Sequence, residues 1–280
     1  MMMGAGSTRT HHHFFRINMK RIFHLTFTFL RIGILNEMQY RVNFFIQLLQ
    51  SFVALGTGLI GLALVFEHTT DLAGWTRPEL LAVMGVHILM GGVIRAAIQP
   101  NMQTLANDIQ QGTLDYSLTK PVDSQVIVSV REFRLWQVVD VVMGFIVLGW
   151  AVVELQEGLG VVDALVFSAT LVLGGIMIYC FWLMLTTSAF WIIRVYEMIN
   201  LFEGLYAAGR WPVGIYPLWL RSMLTFLVPV AFAVTVPSEI LVGQSSTQTL
   251  IGALALTVGL VLLARFVWTL GVRNYSGASA

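Results

Sequence analysis

Only 11% of the 280 residues carry a formal charge, while 57% are hydrophobic and the mean hydropathy is +0.78. An ordinary soluble domain has about a quarter of its residues charged. That scarcity excludes a water-soluble globular fold and leaves an all-α polytopic membrane protein. The net charge of +1 is not gathered on one face, which excludes nucleic acid as a partner. The single cysteine, Cys180, sits in an apolar run, so an internal disulfide and a thiolate metal cluster are both excluded. Catalytic motifs are missing too. There is no GxxxxGK loop followed by Ser or Thr to cradle phosphates, no HExxH for zinc and no GxSxG turn for a serine nucleophile. The chain is therefore expected to be no enzyme and to hold no cofactor or metal of its own. His11, His12 and His13 form a run, but in a tail that reads as solvated or as a cloning remnant. The first 25 residues also lack the short apolar core and cleavage site of a secretory signal, so the N-terminus is expected to stay in the cytoplasm.

Proline is scarce, with seven in all, yet four of them, Pro212, Pro217, Pro229 and Pro237, fall between Gly209 and Gly243 in a stretch apolar enough for lipid. Each removes a backbone donor and kinks or ends a helix. Such a segment predicts short helical pieces that enter the membrane and turn back within protein, because irregular backbone is not tolerated facing lipid. A transport path is where such elements belong.

A crossing helix needs roughly 20 mostly apolar residues. Matching windows lie at 42–66, 79–99, 134–154, 161–190, 195–211 and 248–270, with the broken element at 212–243 between the fifth and the sixth. Six spans place both termini on one side. Thirteen of the sixteen Lys and Arg residues then fall on that side, and only Arg77, Arg210 and Arg221 on the other. The excess of positive charge puts both termini in the cytoplasm. Before the first span, Arg16, Lys20, His24, Thr28 and Arg31 recur at helical spacing, which predicts an amphipathic interfacial helix within 1–41 or, more plainly, a hydrophobic lead-in. Residues 271–280 form a short cytoplasmic tail.

Polar side chains mark three further places. Between the second and third spans, Met102, Leu105, Ala106 and Ile109 form an apolar stripe after Pro100 and before Gly112. That predicts a short amphipathic helix over 100–111, just outside the membrane, with Gln103, Asn107, Asp108, Gln110 and Gln111 on its polar side. The first span carries Asn43, Gln47, Gln50, Ala54, Thr57 and Gly61 on one face, and the second carries His87, Gly91, Arg95 and Gln99. Unpaired polar groups in hydrocarbon are costly, so these faces are expected to line a path, meet a second subunit or pack against neighbouring helices. Asp140 and Glu203 lie in or beside spans, each with Arg95 or Arg134 as a possible partner, and spacing does not choose between a structural ion pair and a proton relay.

The whole arrangement resembles the membrane subunit of type-2 ABC exporters. The broken element carries the most specific likeness, in Gly209 to Pro212, the Pro217-Leu218-Trp219-Leu220 turn and Pro229-Val230-Ala231-Phe232. The loop Gly112 to Val122 and the ending RNYSGASA resemble a branch encoded with a second permease and one ATPase. The resemblance implies a transmembrane domain over 42–270, a coupling helix at 100–111 and a re-entrant element at 212–243. It further implies an ATP-binding subunit dimer that holds ATP and Mg, a second permease, homologous or identical, and a bacterial inner-membrane location. Trp211, Pro212, Tyr216, Pro217 and Trp219 would form the extracellular gate, and Asn43, Gln47, Gln50, Thr57, His87 and Arg95 the path or subunit interface. Cargo would be hydrophobic or amphipathic: a lipid, glycoconjugate or drug-like molecule. The competing expectation is a secondary transporter driven by an ion gradient through Asp140 or Glu203. A membrane scaffold leaves the broken element unexplained, and an intramembrane enzyme lacks its motif.

Overall fold

The computed structural model describes Phe27, Thr28, Arg31 and Leu35 and then residues 41–155, 160–192, 195–244 and 246–275. The expected interfacial helix and the end of the C-terminal tail thus lie outside the described residues. The elements are α1 (Arg41–Phe66), α2 (Arg77–Val93), α3 (Gln99–Gln111), α4 (Asp115–Leu118), α5 (Ser124–Val130), α6 (Val138–Leu155), α7 (Val161–Thr187), α8 (Val195–Ala208), α9 (Leu218–Ser222), α10 (Val236–Leu241) and α11 (Thr247–Arg273). Among the described residues the one β-type pairing is the isolated Leu72–Trp75 bridge in the α1–α2 turn.

Five helices are long and apolar enough to cross a membrane, namely Val42–Phe66, Arg77–Gln111, Leu135–Leu155, Val161–Phe190 and Thr247–Arg273. A pair bent by 77°, Leu218–Leu227 and Ala231–Leu241, makes a sixth if counted as one span. The window expected as the fifth crossing, 195–211, forms only the 14-residue α8. At 1.5 Å per residue that is about 21 Å of helix, against a hydrocarbon layer about 30 Å thick. The chain still changes ends between Phe190 and Gln244. Phe190 packs on Trp268 and Tyr275, near the end of α11, and Arg265 of that helix pairs with Asp123, beyond α3. Gln244, by contrast, donates to Glu79 in the first turn of α2, at the opposite end of the bundle.

The central element is α2, whose apolar window is 72% buried while those of the other four long helices are 17–33% buried. Its closest neighbour is α6, and glycine is what lets them approach. A Cβ on Gly144 would stand 2.5 Å from the Leu89 amide nitrogen, and one on Gly92 2.7 Å from that of Val141. Small residues at such seams admit the dispersion contacts that hold helices together in lipid.

The boundary expected at Pro100 differs from the structure. The helix does not restart there: α2, a π-turn at Ile94–Ile98 and α3 run on as one 35-residue helix. Proline cannot donate to the carbonyl four residues back and crowds it. The wider π-turn accommodates the ring, and tertiary donors satisfy the freed carbonyls. Ala96 accepts from the Arg134 amide at 2.9 Å, and Ala97 accepts from Asn101 Nδ2 at 2.6 Å. Gly112, at φ +71°, then ends the helix in the left-handed region, as its position suggested.

The broken element keeps a proline at each discontinuity. Pro217 caps α9, Pro229 lies in the bend, and Pro237 opens α10. Its second limb is buried against α7, where a Cβ on Gly174 would come 2.6 Å from the Ala233 Cα.

Candidate functional site: a polar cluster between the first three spans

One buried carboxylate organises the interior. Asp140, in the first turn of α6, accepts from Arg95 Nη2 at 2.8 Å and Nε at 3.2 Å, and from Gln47 Nε2 at 3.2 Å. The Ser51 hydroxyl donates to its other oxygen. Gln137 closes the ring by accepting from Arg95 Nε at 3.2 Å and donating to Gln47 Oε1 at 2.9 Å. Three spans are thus joined through five polar side chains at one level. Asp140 is 7% exposed at its side chain and Arg95 40%, so the ion pair is buried on one side only.

Between these spans lies a cavity of about 110 Å³, reached by Ser51, His87, Arg95, Asp140 and Arg210. The His87 ring stacks on Tyr206 at a centroid distance of 4.6 Å, and the Tyr206 hydroxyl donates to the His87 carbonyl at 2.8 Å. Gly91 makes room for Arg95 to fold back along α2, since a Cβ there would lie 3.1 Å from its Nη1.

The structure brings together some of the expected residues and parts others. Gln47, His87 and Arg95 face the cluster. Asn43, Gln50 and Thr57 are exposed, Asn43 at the mouth of a pocket shared with Arg134, Trp136 and Gln137. The face of α1 that packs inward instead runs through Gln47, Ser51, Gly58 and Leu62. Of the two candidate carboxylates, Asp140 pairs with Arg95, while Glu203 accepts from Gln99 Nε2 at 2.6 Å. Gln137, Ser51 and Arg210 are functional candidates that sequence reasoning passed over or placed elsewhere. Helical spacing held the signal for the first two: Gln137 precedes Asp140 by three, and Ser51 follows Gln47 by four.

At the far end of the long helix, Met102, Leu105, Ala106 and Ile109 are buried as the stripe predicts, and Asn107, Gln110 and Gln111 are exposed. Asp108 forms a 2.6 Å ion pair with Arg131, and Gln103 accepts from Arg134 Nη2 at 2.9 Å. Both are thus engaged within the chain. Asn101, buried, donates to the Glu132 carbonyl and accepts from its amide, each at 2.8 Å, clamping the loop before α6 to the helix.

In the broken element, Pro212 is buried and Trp211 and Tyr216 are half-buried. The Tyr216 hydroxyl donates to the Ala208 carbonyl at 2.8 Å. Pro217 is exposed and Trp219 is 70% exposed beside Leu218, Phe226 and Leu227, a continuous outward apolar surface.

Among the described residues no group of three or more His, Cys, Asp or Glu is placed to hold a metal ion. A family model described as ABC-2 family transporter protein matches residues 52–279, well over half of the chain. Neither a curated protein nor a solved structure matches.

Proposed function

The chain belongs to the ABC-2 transporter family, and from that premise we propose that this multi-pass membrane subunit forms half of the conduit of an ATP-driven exporter. An ATP-binding subunit dimer holding ATP and Mg supplies the energy, and a second permease, identical or homologous, supplies the other half. The cargo is hydrophobic or amphipathic, and the protein sits in a bacterial inner membrane with both termini in the cytoplasm.

The observation that carries this reading is the unbroken helix from Arg77 to Gln111. Its exposed tip at Asn107, Gln110 and Gln111 offers polar side chains to a soluble subunit. Its middle carries Arg95, bonded to the cluster that joins α1, α2 and α6. Displacement of the tip is transmitted to membrane depth because an α-helix is stiff along its axis and the loop before α6 is clamped to it by Asn101. The exposed amides of Asn43 and Gln50 on α1 support a subunit interface, since such groups facing lipid alone are costly, whereas Thr57 on that face already donates to the Val53 carbonyl at 2.7 Å. The outward aromatic surface around Trp219 suits a gate at headgroup level.

A secondary carrier would need a carboxylate that exchanges its proton during each cycle. Four donors converge on Asp140, which ties it into a cluster that joins three spans.

The test is co-reconstitution with the ATP-binding subunit. Replacing Asn107 and Gln111 with Arg is expected to leave membrane insertion intact while ATP hydrolysis no longer drives transport. Transport by the isolated chain on an ion gradient alone would refute the reading.

A further inference from the structure

The 110 Å³ cavity between α1, α2 and α6 has a charge imbalance that the cluster itself does not resolve. Its one carboxylate, Asp140, is already engaged by Arg95, Gln47 and Ser51. Arg210 reaches the same space with nothing to bind, and one unpaired nitrogen lies closed off behind its wall. Arg210 forms no side-chain hydrogen bond or salt bridge among the described residues, and His87 Nδ1 is buried without a partner. Arg210 lines the cavity together with His87, and its neighbour Gly209 packs on the ring, where a Cβ would lie 3.7 Å from His87 Nδ1. Tyr206 holds the imidazole from its other face, so its orientation is fixed.

His87 is in the middle of the central helix, so the Arg210 guanidinium reaches the cavity at membrane depth. A cation there, with no counter-charge of its own, is costly. The space is several times the roughly 10–15 Å³ that one water requires. Arg210, Arg95 and Asp140 line one part of it and Ala54, Leu55, Met84 and Ile88 another, an apolar wall beside two arginines. A planar five-donor fork of this kind matches the oxygens of a tetrahedral anion. A cation would meet two arginines and a carboxylate that is already occupied, and a neutral apolar group would leave every donor unpaired.

We propose that this cavity binds an oxyanion headgroup of the phosphate type, held by Arg210 with Arg95 at its inner wall. The site gives the conduit a preference for anionic amphiphiles or for free oxyanions, which share the recognising chemistry. Cargo selection by this site rests on the permease reading. Binding itself does not, and it is measured with no ATP-binding subunit present.

The experiment uses the full chain, purified in a neutral detergent, with thermal unfolding followed as decyl phosphate, inorganic phosphate or decyltrimethylammonium is added. Decyl phosphate is expected to raise the melting temperature, and Arg210→Gln to weaken its apparent Kd by about tenfold or more, the usual consequence of losing a charge-assisted hydrogen bond. Arg210→Lys keeps the charge but loses the planar fork, and is expected to weaken binding by a smaller factor. It serves as the second variant if Arg210→Gln does not fold. Stabilisation by inorganic phosphate alone supports a free oxyanion as ligand, and stabilisation only by decyl phosphate supports an amphiphile. Equal stabilisation by decyltrimethylammonium, or undiminished decyl phosphate binding in both variants, would overturn the proposal. Either failure leaves the assignment as a permease subunit standing.

Discussion

Replacing Asp140 with Asn tests whether the ion pair with Arg95 holds the first three spans together. Asn keeps the shape and can still accept from Arg95 and donate to Ser51, so the change removes charge rather than volume. Loss of one partner of a fully buried pair costs about 3–5 kcal/mol. Arg95 is 40% exposed at its side chain, and the adjoining cavity admits solvent, so that figure must be reduced for screening. About 2 kcal/mol is expected for Asp140→Asn and somewhat less for Arg95→Gln. The informative quantity is their coupling. In the double variant the two costs should fall short of additivity by about 1–2 kcal/mol, because each single change already removes the same attraction. Equilibrium unfolding in mixed micelles, followed by tryptophan fluorescence, measures all three. If the two costs add within about 0.5 kcal/mol, the pair contributes nothing beyond its members and the reasoning fails.

Gly144→Val should open the α2–α6 seam, because its Cβ would stand 2.5 Å from backbone that cannot retreat. A loss of at least about 1–3 kcal/mol is expected in the same unfolding assay, whereas Gly149→Val, with open space around it, should be near neutral. Asp108→Asn should destabilise the α3–α5 region by about 2 kcal/mol, because Arg131, 17% exposed at its side chain, has Nε and Nη2 already without partners. Proteolysis of the 112–123 loop should accelerate accordingly. Trp219→Ala should leave stability within about 0.5 kcal/mol, since the side chain is 70% exposed, yet change the substrate range or release rate in a transport assay.

The crossing helices were legible because long apolar runs have few alternatives in water or lipid, and the prolines of 212–243 announced their breaks by local chemistry alone. The continuous helix through Pro100 was not. Local rules make proline a helix start, and only a distant amide, from Arg134, and the Asn101 side chain make continuation affordable. Which face of α1 packs within the chain was illegible for a similar reason. Polar and small residues occur on two of its faces, and Ser51 wins because Asp140, 89 residues away, accepts its hydrogen bond. Arg210, placed by charge counting at the non-cytoplasmic end of the expected fifth span, lines the cavity because α8 stops short beside His87. Each miss concerns a contact between segments far apart in sequence, which periodicity within a single helix does not encode.

The glycine contacts at Gly92 and Gly144, the Asn101 clamp and the bonds from Arg95 to Asp140 fasten the second and third spans at three separate heights. Two strips riveted at several points behave as one beam. The first span, by contrast, shares with that beam mainly the hydrogen bonds of Gln47 and Ser51 and a few apolar contacts. Any rearrangement that keeps the beam whole can therefore swing this outer helix about a single polar hinge, which concentrates mechanical compliance on the side where the chain is least enclosed.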